Sequence, residues 1–278
     1  MLSRVDDGPE TSSPGLRPWR WRILFWAGLV FAFGPSLRDA GELFVAQPWS
    51  RATLVFPVLA YAAARAEAPS RPSRYGWALV AVGIAIQMVA IGGGLVRVGR
   101  VGFVLAAMGL CRGAGWCSPP VALLLAFLLP IPHAVQQLGS PWLEAGLARL
   151  AASCAGALGL AVVHGRPGLE SGASTLPLAE HDGGVGLAVS FLGLAWFAWL
   201  RAPGRDRGRL VRLAFVALLA AGGFQLASLT VAAIVLARGG EEPVETARAI
   251  LDRTPWILVW SSGMVLAWTG RRAIGGSS

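Results

Sequence analysis

Six polar residues stand out against an otherwise apolar chain: Glu180, His181 and Asp182 in one run, Gln225 and Ser228 three apart, and Asp252. A carboxylate pair activates water when burial raises one of the two pKa values. Histidine with carboxylates also holds zinc when the geometry is right. Three adjacent residues cannot all point one way on a helix, so at most two of Glu180, His181 and Asp182 act together. The three cysteines, Cys111, Cys117 and Cys154, are too few for a disulfide scaffold, and the first two match no zinc spacing. Gly92-Gly93-Gly94 lies inside an apolar run with no strand before it, so it is no nucleotide loop. No metal and no cofactor is expected.

The elements that must position these residues follow from composition. Of 278 residues, 55% are apolar and only 14% charged, and the mean hydropathy is +0.59. Soluble domains carry about 25% charged residues, so an ordinary soluble enzyme and a disordered chain are both excluded. The apolar runs 19–37, 52–66, 76–96, 98–116, 119–134, 183–200, 209–237 and 254–270 read as eight transmembrane helices. A ninth run, 143–163, carries Glu144 and Arg149 and is rich in Ala and Gly. The net charge of +9 comes entirely from arginine, since the chain has no Lys. These arginines are scattered between apolar segments and build no basic face for nucleic acid; their partner is the lipid bilayer.

Loop charge sets the orientation. Segments 65–75 and 201–212 and the pair Arg271-Arg272 are basic, whereas 238–253 holds Glu241, Glu242, Glu245 and Asp252. All the basic loops fall inside only if 143–163 does not cross. The expected fold is therefore all-α: a polytopic membrane protein with about eight transmembrane helices plus one non-spanning interfacial helix, both termini cytoplasmic. Residues 1–18 read as a disordered tail, 19–271 as one transmembrane domain and 272–278 as a C-terminal tail. Pro130-Ile-Pro132 and Pro141 fit a chain leaving a span and turning along the surface. In this topology Gln225 to Ser228 lie roughly 24–28 Å along their helix, near the outer face of the plasma (inner) membrane. Glu180, His181, Asp182 and Asp252 open spans at that same face.

Local motifs add a resemblance. Phe127-Leu-Leu-Pro-Ile-Pro132, the Ala-rich helix ending Gly156-Ala-Leu-Gly159, His164-Gly165 and the short loop to Leu178-Ala-Glu180 resemble exosortases and archaeosortases. Trp49-Ser50 followed by Phe56-Pro57 is also similar. Those are multi-span enzymes that process C-terminal sorting signals on exported proteins. The resemblance implies a cysteine nucleophile in a turn opening one span, an Asn-x-x-Arg-like motif in the next, and a histidine opening the last. Glu180-His-Asp-Gly-Gly184 fits the turn, which puts Asp182 at the cysteine position. Gln225-Leu-Ala-Ser228 fits the next motif, and Asp252 stands for the histidine. A carboxylate is a poor replacement for a thiolate, because its acyl product is an anhydride.

The resemblance thus implies the family's scaffold with a degenerate site, acting by binding sorting-signal tails or by assisting an active homologue. A remodelled membrane hydrolase using the outer-face carboxylates and His181 is the alternative, and an unrelated small transporter is another. Cys154 has no adjacent base and reads as a packing residue. Glu241-Glu242 lies beside Pro243 in a loop, not on a membrane helix, which sets aside a glutamic intramembrane protease.

Overall fold

The computed structural model describes residues 18–46, 48–67, 70–129, 133–165, 168–172, 174–178, 183–202, 204–239 and 242–275. Residues 1–17 of the tail expected at 1–18, Pro130-Ile-Pro132 and Glu180-His181-Asp182 lie outside them, and Pro18 opens α1. The described chain is mostly helical: α1 (Pro18–Ala32), α2 (Gly34–Ala46), α3 (Val55–Ala66), α4 (Arg74–Gly92), α5 (Val96–Gly113), α6 (Pro119–Ala122), α7 (His133–Ala157), α8 (Gly183–Arg201), α9 (Arg207–Arg238) and α10 (Pro243–Gly275). Two 3-10 segments, Pro48–Leu54 and Leu123–Leu128, lead into α3 and continue α6.

Among the described residues three helices are long and apolar enough to cross a membrane, or four if a bent pair is counted as one span, where the sequence suggests eight. The shortfall has physical causes. Helix α3 has 12 residues, about 18 Å at 1.5 Å per residue, and cannot cross a hydrocarbon layer alone. Helix α5 carries Arg97, Arg100 and Arg112. The run expected at 19–37 is broken: α1 and α2 meet at a 79° bend. Gly34-Pro35 sits at that bend; a proline there removes a backbone donor and clashes with the preceding turn.

Two of the qualifying helices, α4 and α9, look outward. Val82, Ile84, Met88, Val89 and Ile91 of α4 are exposed, as are Val211, Phe215, Val216, Leu218 and Leu219 of α9. Such apolar surface on helices of this length is compatible with a helical membrane protein. Besides Gln87, what α4 buries is small: Gly76, Gly83 and Ala90. Gly76 and Gly83 face Gly109, Gly102 and Ala106 of α5, so the two backbones run nearly in contact. Elsewhere the Phe56 ring lies on Gly193 of α8, which has no Cβ to obstruct it.

The mostly helical fold also holds one small sheet that the all-α expectation does not include. Strands β1 (Val163–His164), β2 (Gly168–Ser171) and β3 (Ser174–Pro177) form an antiparallel sheet in that order. Leu169 and Leu176 are cross-strand partners and both fully buried, the arrangement that stabilises a small sheet. Gly172 takes φ +60° in the β2–β3 turn, a conformation open to glycine. The helix expected at 143–163 is α7, which starts ten residues earlier and is not among the candidate spans.

Two cores result. The first joins α1, α3, α5, α6, α8 and the C-terminal part of α10, with Phe33, Phe56, Leu59, Leu124, Phe197 and Val259 fully buried. The second packs Ala148, Ala151, Ala152 and Ala155 of α7 and the sheet leucines against Leu229, Ala232, Ala233 and Leu236 of α9 and Ala247 and Leu251 of α10. The alanines recur at helical spacing and let α7 lie close on α9.

Replacing Gly83 with Leu is expected to destabilise the fold by at least about 1–3 kcal/mol, because a Cβ there meets the Gly102 carbonyl oxygen at 2.5 Å and the Ala106 backbone nitrogen at 2.7 Å. Gly222→Ala, which meets open space, is the control and should be neutral or slightly stabilising. Thermal melting of both variants in detergent checks the difference.

Candidate functional site

Gln225 and Ser228 are buried on one face of α9. Asp252 is half-buried on α10, which packs along α9. Their position relative to the cores is informative. On α9, Ala221 belongs to the first core and Leu229 to the second, so Gln225 and Ser228 lie between them. On α10, Leu251 belongs to the second core and Val259 to the first, which places Asp252 and Trp256 at the junction too. The Trp256 Nε1 is buried there with no hydrogen-bond partner. Glu180, His181 and Asp182 lie outside the described residues. In sequence they fall between Leu178 of the second core and Leu187 of the first. Among the described residues no group of three His, Cys, Asp or Glu side chains is placed to hold a metal ion.

A second polar site was not foreseen from sequence. Arg100 of α5 is nearly buried and pairs with Asp39 of α2. Its Nε donates to Asp39 Oδ2 at 2.7 Å and its Nη2 to the Asp39 carbonyl at 3.1 Å. Beside it, the Ser36 hydroxyl donates to Gln87 Oε1 at 2.8 Å, and Gln87 Nε2 donates to the Ala32 carbonyl at 3.4 Å. Ala32 is the last residue of α1, so Gln87 satisfies a carbonyl at the bend. Gly99 makes room for this pair: a Cβ there would strike both Ser36 Oγ and Gln87 Oε1. The signal for this site was Arg100 itself, since an arginine inside an apolar run calls for an acid on a neighbouring helix.

The opposite end of α9 is rich in arginine. Arg205 pairs with Glu67 across 138 residues of chain. Arg112 Nη1 donates to Ser70 Oγ at 3.0 Å and to the Cys117 carbonyl at 2.9 Å. The basic segments 65–75 and 201–212, grouped by charge in the sequence, therefore meet at one end. Cys111 and Cys117 are side by side there. The hydrogen bond from Cys111 holds the Cys117 thiol below its ordinary pKa and the Arg112 charge adds to this, against the opposing effect of burial. Cys154 is exposed on α7, with no link to this pair.

No family model, no curated protein and no solved structure matches the chain. The chain is thus placed by its own architecture, as a mostly helical protein with, among the described residues, three apolar candidate spans and two cores.

Arg100→Ala strands Asp39 and is expected to cost about 3 kcal/mol, at the lower end for breaking a buried pair because Asp39 keeps some exposure. Adding Asp39→Ala should recover part of that loss in a thermal melt. A charged maleimide applied to the purified native protein should label Cys154 rapidly and Cys117, which is 5% exposed, only after denaturation. Mass spectrometry of the labelled peptides reads the order.

Proposed function

We propose that the chain is a multi-pass inner-membrane protein that binds or assists the sorting of exported proteins, on an exosortase- or archaeosortase-like scaffold that has lost the family's thiol chemistry. The arginine-rich end is cytoplasmic in this reading. The sheet, α7 and the ends of α9 and α10 stand outside. Both termini are inside, and the short and bent apolar segments fill the membrane beside the three full spans.

The observation that carries the reading is the common level of Gln225, Ser228 and Asp252, at the junction of the two cores. In sequence, Glu180, His181 and Asp182 fall between residues of those same cores. A tail anchored in the bilayer would meet the protein at that level. None of the three cysteines lies in these segments: Cys111 and Cys117 are at the arginine-rich end and Cys154 is on α7. Binding without cleavage by a thiolate is the chemistry left to such a site.

The test is an exported reporter bearing a sorting-type tail, expressed with this chain as the sole family-like protein in the cell. The expected result is capture of the reporter by pull-down without a size shift, weakened in Gln225→Ala. A size shift lost in Asp182→Ala would instead establish a remodelled hydrolase. Absence of both capture and shift would overturn the sorting reading.

One observation favours a transporter as the second reading. Arg100 and Asp39 form an ion pair at a broken helix, and such sites line ion paths in transporters. Vesicles reconstituted with the protein would then show a proton or ion flux abolished by Asp39→Asn. Their tightness would remove this reading.

A further inference from the structure

At the arginine-rich end a cavity of about 180 Å³ opens between α3 and α8, lined by Ala63, Ala66, Glu67, Leu200, Arg201 and Arg205. Its floor is apolar, since Ala63 and Leu200 belong to the first core. Its mouth is charged. Glu67 and Arg205 neutralise one another. That leaves Arg201, whose Nη2 is shut off from solvent with no hydrogen-bond partner. A guanidinium nitrogen that has given up water without gaining an acceptor is costly, and an anionic oxygen in the cavity would satisfy it.

We infer that this cavity is a binding site for a phosphate group, held by Arg201 with Arg205 beside it. Several observations select this chemistry. Guanidinium groups present their N–H donors in a fork that matches phosphate oxygens. The volume is room for several waters, at about 30 Å³ each, and so for one tetrahedral anion. Arg201 is the last residue of the apolar helix α8, and the first turns of α9 add Arg207, Arg209 and Arg212. If α8 crosses the membrane, the cavity lies at the level of the cytoplasmic headgroups, where the phosphate would be that of an anionic lipid. Free inorganic phosphate is the other source of the same chemistry. The inference rests on the membrane reading alone and is independent of sorting.

The full chain, purified in a neutral detergent, is titrated with phosphatidylglycerol, with phosphatidylcholine as the zwitterionic control, and bound lipid is counted by native mass spectrometry. Inorganic phosphate is tested separately by its effect on the melting temperature. Wild type is expected to bind phosphatidylglycerol about tenfold or more tightly than Arg201→Gln, the range for losing one charged donor. Arg201→Lys should recover part of the affinity. Arg238→Gln, at the far end of α9, should bind as wild type. Ala66→Leu fills the cavity from an exposed position without removing charge, so it tests the site even if Arg201→Gln does not fold. Stabilisation by inorganic phosphate that Arg201→Gln abolishes would assign the free anion, and lipid binding without it would assign the headgroup. Equal binding by wild type, Arg201→Gln, or where that variant does not fold Arg201→Lys, and Ala66→Leu, with no phosphate effect, would overturn the inference.

Discussion

The length of α9 and α10 governs the architecture. At 32 and 33 residues each extends about 50 Å. Among the described residues α9 is a candidate span and α10 is not, and α9 is longer than a hydrocarbon layer of about 30 Å. The second core covers the C-terminal turns of α9: α7 lays an alanine face on them, and the three-stranded sheet closes the remaining side. Because α9 and α10 also contribute to the first core, the same two helices link both cores. The buried polar residues at their junction are held from both sides.

Much of this was readable in the sequence where the signal was charge. The arginine clusters at 65–75 and 201–212 were grouped by the positive-inside rule, and Glu67 with Arg205 joins them in space. Helix rise and direction suggest one depth for Gln225, Ser228 and Asp252; the structure places all three near the junction of the two cores. A helix over much of 143–163 was also legible, although α7 begins at His133 and not near 143.

Other features left no clear trace. The strands have two to four residues, too short for alternation to register, and each of β2 and β3 carries one inward leucine. Counting apolar runs overcounted the spans. Hydropathy does not distinguish a run that faces lipid from one buried in protein, such as α3 with five buried residues out of 12. The Asp39–Arg100 pair escaped because its halves are 61 residues apart and Asp39 lies just past the expected first span. The Cys111–Cys117 neighbourhood depends on how the chain turns after α5, which spacing alone does not specify.

The same separation has a consequence for synthesis. Asp39 leaves the ribosome 61 residues ahead of the arginine that neutralises it. At about 5–20 residues per second, this is a wait of several seconds. The Ala32 carbonyl waits almost as long for Gln87, 55 residues later. Through that interval α1 and α2 carry a carboxylate and a carbonyl that their own segment cannot satisfy. They can take their final bent arrangement only when the α4–α5 hairpin arrives with both partners, so the first helices made are not the first to settle.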